Sequence, residues 1–220
     1  NYKSIEYDLV QGFNVNVLPL KYLYKSLSQT QCAGVIITGT CAEYGSSNDC
    51  DYENELCMPT LPYGLSKLTQ TQYTNLLSNE YKLPTRIGRI YLPYGYLDNP
   101  DKIIPTVISS LTHNRQLSLT LCTQKRDIIH IADLVKLYKA LIGDFKSKKI
   151  FDIFNLCSGE CIELKELFLF IARKLDVDQK NLIFGAIKLH YTEKLIQYGS
   201  NKKIMSLVNY KLPTIKDSIT

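Results

Sequence analysis

The sequence contains no tryptophan, two methionines and only three histidines in 220 residues. His113, His130 and His190 are far apart, and none of the seven cysteines (Cys32, Cys41, Cys50, Cys57, Cys122, Cys157 and Cys161) forms a Cys-x-x-Cys pair. The ligand spacing of a zinc site is therefore missing, and no metal is expected. An odd cysteine count without framework spacing fits reduced thiols, so the expected compartment is the cytoplasm. No run approaches the 18 or more consecutive apolar residues of a membrane helix, and residues 1–8 lack the apolar centre of an export signal. Charge is not concentrated either. The formal +5, from 26 Lys and Arg against 21 Asp and Glu, has no block longer than Lys146-Ser147-Lys148-Lys149. A nucleic-acid protein would cluster its charge, whereas dispersed positive charge suits small phosphorylated ligands. The 16 tyrosines are scattered and do not form an aromatic platform.

What is present is the balance of a globular chain, with 45% hydrophobic and 21% charged residues. Apolar positions at helical spacing run from Asp8 to Gln29, followed by the buried-strand run Val35-Ile36-Ile37. A polar loop from Ser46 to Pro62 leads to a second helix over Gly64–Tyr81, stopped at Leu83-Pro84, and then a strand over Thr85–Tyr91. Helix and strand alternate, and only a crossover long enough for a helix can join parallel neighbours. The expected class is α/β with a parallel sheet. Further on, the pattern predicts a helix over Ile104–Leu111 and a strand over Leu117–Cys122. It also predicts a helix N-capped by Asp133, a strand over Phe151–Leu156 and a helix over Leu164–Leu175. Residues 182–210 read as short, mixed pieces, as in a smaller lobe.

Two places carry chemistry. Tyr63 and Lys67 are four residues apart at a helix start and share one face. An ammonium beside a phenol favours the phenolate, lowering the Tyr63 pKa toward a value suited to proton exchange with an alcohol or ketone. Alone, that spacing describes many helix-surface pairs. Thr40, in Thr38-Gly39-Thr40-Cys41-Ala42-Glu43-Tyr44-Gly45, follows an apolar strand at the end where α/β sheets bind ligands.

These stretches together resemble the extended short-chain dehydrogenase/reductase family of nucleotide-sugar epimerases, dehydratases and reductases. Thr40 matches the family's Ser/Thr, and Tyr63 and Lys67 match its Tyr-x-x-x-Lys. Asn14-Val15-Asn16 is similar to its Asn-Val segment, and Arg89-Ile90-Tyr91-Leu92-Pro93-Tyr94-Gly95 to its Arg-x-x-Asn-x-Tyr-Gly. Gln124 to Asp133 and Phe154 to Gly159 resemble two later motifs, in the same order. The tail around Phe184-Gly185-Ala186-Ile187, Glu193 and Asn201-Lys202-Lys203 is most similar to CDP-abequose and CDP-paratose synthases.

The resemblance implies a Rossmann-like parallel sheet, partial here, over residues 1–98 and 133–157. A smaller mixed α/β substrate lobe would occupy 99–132 and 158–220. It implies an NAD- or NADP-dependent enzyme acting at C4 of a nucleotide sugar, a 4-ketoreductase of deoxyhexose biosynthesis with a 4-epimerase as the alternative. Thr40, Tyr63 and Lys67 would be catalytic. Asn14, Thr38, Gly39, Tyr63, Lys67, Tyr91 and Pro93 would hold the cofactor. Thr40, Leu92, Arg126, His190 and Glu193 would meet the substrate, and a homodimer would form through the helices at 8–29 and 64–81, where the apolar Tyr73, Leu76 and Leu77 serve either that interface or burial within the monomer.

Cys41-Ala42 occupy the positions of the dehydratase Asp-Glu pair, which argues against a 4,6-dehydratase. Three departures from the family stand out. Leu92 replaces an Asn, and His190 replaces an Arg that meets the diphosphate. The third is the absence of a Gly-x-x-Gly-x-x-Gly loop, with no acidic residue about 20 positions beyond it. Since family members begin with that unit, the expectation is that on the order of 80 residues precede this segment in the intact protein. A non-catalytic remnant is the further alternative.

Overall fold

A computed structural model describes residues 6–45, 49–191 and 193–219. The first helix is capped by Asp8, whose carboxylate accepts the Gln11 backbone N–H at 2.9 Å. The single helix expected over 8–29 is two helices, α1 (Leu9–Asn16) and α2 (Leu18–Leu27), interrupted at Val17. Pro19 explains the break: it has no N–H to donate and its ring crowds the carbonyl four residues back, so it is tolerated only in the first turn of a new helix.

Strand β1 (Val35–Thr40) extends three residues beyond the apolar run and ends on Thr40, followed by a 3-10 turn over Cys41–Glu43. Next come α3 (Pro62–Tyr81), β2 (Thr85–Ile90), β3 (Leu92–Tyr94), α4 (Ile103–Thr112), β4 (Leu117–Ser118), β5 (Lys125–Arg126) and β6 (Ile128–His130). The chain continues through α5 (Ile131–Gly143), β7 (Phe151–Leu156), β8 (Ile162–Glu163), α6 (Leu164–Lys174), β9 (Leu182–Ile183), β10 (Ile196–Gln197), α7 (Lys202–Met205) and α8 (Ile215–Ser218).

The expected α/β architecture is observed. β1, β2 and β7 form a parallel sheet in that order, with Val35 opposite Thr85 and Thr85 opposite Phe151. Because successive strand side chains alternate in direction, each strand supplies both faces. On one face Val35 packs with Leu20 and Tyr24 of α2, Leu77 of α3 and Leu83. On the other, Phe154 and Leu156 meet Leu134, Leu137 and Leu141 of α5. Truncating a side chain as enclosed as Leu141 to alanine removes about 2–5 kcal/mol. A separate core joins α4 and α6 through Val107, Leu111, Leu167, Phe168 and Ile171. Ile204 of α7 returns to the sheet and packs with the α5 face.

Several local expectations need correction. Only Leu117–Ser118 of the expected 117–122 strand is extended, since Cys122 takes a left-handed φ of 55° that turns the chain. His130, not Asp133, caps α5. It holds the extended conformation before the helix, and its Nδ1 accepts the Ala132 N–H at 3.3 Å, while Asp133 lies in the first turn and pairs with Lys136. Leu77 is turned inward against α2 and β1, with Tyr73 packed on the same cluster, and only Leu76 of that trio is exposed. None of the helices in the described residues is long and apolar enough to cross a membrane.

Candidate active site

The site lies where β1 ends and α3 begins. The backbone N–H of Thr40 donates to Glu43 Oε1 at 2.9 Å, and its Oγ1 accepts the Ala42 N–H at 3.3 Å. This reciprocal cap fixes the turn that carries Thr40 out of the sheet. Pro62 occupies the first turn of α3, where its missing N–H costs nothing, and places Tyr63 at the helix start. Gly64 lets α3 approach that turn: a Cβ there would stand 2.5 Å from the Ala42 carbonyl oxygen.

The result brings Tyr63 beside Thr40, whose hydroxyl acts on the phenol. The Tyr63 ring also meets Tyr7 edge-on, with centroids 5.6 Å apart. Lys67 lies one turn further along α3, is 8% exposed, and donates to the Thr38 carbonyl at 2.7 Å and to Gln70 Oε1. Burial pushes the Tyr63 phenol above its ordinary value, against the opposing effect of the Thr40 hydroxyl. Burial also pushes the Lys67 ammonium down, with the Glu43 carboxylate opposing. The expectation that Lys67 lowers the Tyr63 pKa is therefore corrected: the ammonium is held by Thr38 and Gln70, and desolvation dominates the phenol. A protonated phenol beside a hydroxyl can together hold one oxygen and give it a proton.

The other expected residues divide. Gly39 is buried in β1 and Thr38 is exposed, with its Oγ1 2.8 Å from Tyr138 Oη. Asn14 is exposed on α1 and is not brought to the pair, whereas Asn16 reaches α3 by donating to Ser66 Oγ at 3.2 Å. Helical rotation explains this, because residues two apart point to different sides. Tyr91 is buried against Cys41 and Cys157 and donates to Asp51 Oδ2 at 3.0 Å. Pro93 and Leu92 are half-buried in β3, Leu92 packing on the second core. Arg126 is 3% exposed and pairs with Glu193 at 2.6 Å, so two expected substrate contacts face each other. His190 is exposed, its ring 4.6 Å from that of Tyr191.

Sequence reasoning missed three charged groups around the site. Glu43 is fully buried, accepts from Thr40 and Thr71, and pairs with Arg89 at 2.9 Å. Its signal was visible, since Thr40-x-x-Glu43 is the capping-box spacing. Asp51 is buried, and desolvation pushes its carboxyl up to about 6, although the Tyr91 hydrogen bond opposes this. Lys194 is half-buried and lowered by desolvation, with Cys41 and Asp51 opposing. Nothing in the polar loop or the tail signalled that Asp51 and Lys194 converge.

A parallel sheet whose first strand ends in Thr40, facing a Tyr63–Lys67 helix start, defines a Rossmann-like α/β fold. Residues 7–157 match the profile of the NAD dependent epimerase/dehydratase family, and the chain belongs to that family. It is 28% identical over 179 residues to the dTDP-4-dehydro-6-deoxyglucose reductase of Escherichia coli, covering 79% of this chain and 54% of that protein. It is 33% identical over 114 residues to the CDP-abequose synthase of Salmonella muenchen, covering 52% and 38%. Among solved structures, MoeE5 in complex with UDP-glucuronic acid and NAD superposes with a TM-score of 0.84 at 18% identity, over 97% of this chain and 71% of that one. The last likeness establishes the fold. The chain spans about half the length, or less, of these curated relatives.

Proposed function

We propose that the protein carrying this chain is an NAD(P)-dependent nucleotide-sugar oxidoreductase acting at sugar C4, as a 4-ketoreductase. The observation that carries this reading is the placement of Thr40 at the carboxyl end of β1 against the start of α3, which bears Tyr63 and, one turn on, Lys67 bonded back to the Thr38 carbonyl of β1. The substrate class rests on the similarity to the Escherichia coli reductase and the Salmonella synthase.

The donors present fit the nicotinamide-ribose end of a dinucleotide: a buried ammonium at Lys67 and the exposed Thr38 hydroxyl, with Pro93 half-buried nearby in sequence and Tyr91 enclosed behind Cys41 and Cys157. The glycine-rich loop for the diphosphate is not among these residues. When bound, the nicotinamide supplies hydride to C4. Tyr63 donates its phenolic proton to the C4 oxygen, and its raised pKa keeps that proton in place at neutral pH. Thr40 Oγ1 hydrogen-bonds the same oxygen. Lys67 binds the ribose hydroxyls, and Arg126 with Glu193 borders the nucleotide end. Ala42 carries no titratable group and burial pushes the Cys41 thiol up to about 12, so the proposed reaction includes no elimination of water.

The proposed assembly is a cytoplasmic homodimer through the outer face of α1, α2 and α3. Val10, Val15, Leu18, Tyr22 and Leu76, all more than half exposed, support it.

The test supplies the full natural protein with a nucleotide 4-keto-6-deoxyhexose and either NADH or NADPH. Stoichiometric oxidation of one cofactor with formation of the 4-hydroxy sugar supports the ketoreductase. Interconversion of 4-hydroxy epimers with no net change in added cofactor would replace that reading with the 4-epimerase.

A further inference from the structure

Beneath the Thr40–Tyr63 pair lies a carboxylate for which the proposed proton transfer has no direct use. Glu43 is 0% exposed, and each of its oxygens is committed. Oε1 accepts the Thr40 backbone N–H at 2.9 Å. Oε2 accepts Thr71 Oγ1 of α3 at 2.9 Å and Arg89 Nε of β2 at 2.9 Å. Thr71 is one turn beyond Lys67 on the same helix, so a single side chain ties the Thr40 turn, the helix bearing Tyr63 and Lys67, and the central strand. Arg89 is itself held from the other side by the Tyr44 ring, 4.4 Å from its guanidinium carbon, and Tyr44 donates to Asn155 of β7 at 2.7 Å. A Cβ on Gly39 would approach Glu43 Oε1 to 2.7 Å, so the strand leaves just enough room for this carboxylate.

We propose that Glu43 is a positioning residue, whose buried carboxylate ties the backbone of the Thr40 turn to the helix that bears Tyr63 and Lys67 and to β2. The inference rests on the ketoreductase reading of this site. Two effects follow from one group. The hydrogen bonds hold Thr40 and α3 in register, and misplacement of a reacting group by a fraction of an ångström lowers the rate of a chemical step more than it weakens binding. The charge opposes the burial that drives protons off Lys67, and adds to the burial that keeps the proton on Tyr63. Other groups face the same centre. Tyr7 and Cys41 lie against Tyr63, Thr38 and Gln70 hold Lys67, and Arg89, Tyr44 and Cys57 surround the carboxylate side of the turn. Among the described residues, Glu43 acts on both members of the pair.

The test needs a readout that does not depend on turnover. In the full natural protein, the lysine side-chain carbon resonances are followed by NMR against pH, with Lys67 assigned by its loss in Lys67→Arg. Glu43→Gln keeps an acceptor for Thr40 but removes the charge, so the Lys67 midpoint is expected to fall by roughly half to one pH unit. Glu43→Asp keeps the charge and is expected to return most of that shift. In the assay, Glu43→Gln is expected to lower kcat about tenfold or more with KM changed by less than about threefold. Glu43→Gln leaves the buried Arg89 charge unpaired, so Glu43→Gln with Arg89→Met removes both charges and answers the same question if the single variant does not fold. A Lys67 midpoint and kcat both unchanged in a folded variant would overturn the proposal, and so would a failure of both variants to fold, since the carboxylate would then serve the fold alone. Wild-type turnover in Tyr63→Phe would instead overturn the ketoreductase reading while leaving the Lys67 titration interpretable.

Discussion

The Lys67 ammonium donates to the carbonyl of Thr38, two residues before Thr40 on the same strand, at 2.7 Å. That contact holds the charge at the strand and leaves the Tyr63 phenol governed by its own burial. The phenol therefore keeps its proton at neutral pH, as the proposed role of donor requires. In the direction of ketone reduction, where the protonated form is required, turnover is expected to stay level between pH 7 and 9. A rate that falls with a midpoint near pH 7 would show that the phenol is shifted down, not up.

Asp51 controls a second pH effect. Its carboxyl titrates near 6 when folded, against an ordinary value of 3.8, because burial disfavours its charge. A group raised in the folded state holds its proton there while the unfolded chain has lost it. Stability therefore falls as pH rises from about 4 to about 6 and stays lower above that window. Asp51→Asn keeps an acceptor for the Tyr91 hydroxyl and is expected to flatten this part of the curve, with a gain of about 1–3 kcal/mol at pH 7. Urea denaturation of both proteins at pH 4.5 and 7 checks the sign. A mutant that is less stable at pH 7 would contradict it.

Arg126 has so little freedom that its loss is expected to act on the fold. Besides the Glu193 pair, its guanidinium donates to the carbonyls of Lys125, Lys194 and Leu195. Arg126→Ala removes the charge paired with Glu193 and a donor from the Lys125, Lys194 and Leu195 carbonyls, of which Leu195 keeps the Lys125 N–H at 2.7 Å, and is expected to cost about 3–5 kcal/mol by chemical denaturation. A change below about 1 kcal/mol would mean that the side chain is free to turn to a ligand.

Gly64 tests whether Tyr63 depends on close packing. Adding a methyl group against the Ala42 carbonyl forces the start of α3 away from the Thr40 turn. Gly64→Ala is expected to lose about 1–3 kcal/mol of stability and to lower kcat with little effect on KM. An unchanged kcat would show that Tyr63 tolerates the displacement.

Much of this was legible in the sequence, for identifiable reasons. The β1, β2 and β7 strands stand out because both of their faces are covered, which demands apolar residues in Val35-Ile36-Ile37 and Phe151–Leu156. Thr40, Tyr63 and Lys67 were legible because strand end and helix start are local features. The α1–α2 break was visible in Pro19 but was overridden by an unbroken helical period. The Arg126–Glu193 and Asp51–Tyr91 pairs were not legible, since each joins residues 67 and 40 positions apart across different elements. Around Asn14 a motif match carries no helix phase, and the phase turns Asn16 toward α3 while Asn14 stays exposed.

The most direct test of the account is turnover of a nucleotide 4-keto-6-deoxyhexose by Tyr63→Phe in the full natural protein, measured beside its thermal stability. Removing one hydroxyl at a half-buried site is expected to cost about 1 kcal/mol of stability. The rate is expected to fall on the order of a thousandfold, because the group that protonates the C4 oxygen is gone. A folded Tyr63→Phe protein within tenfold of the wild-type rate would contradict the assignment of Tyr63 as the proton donor.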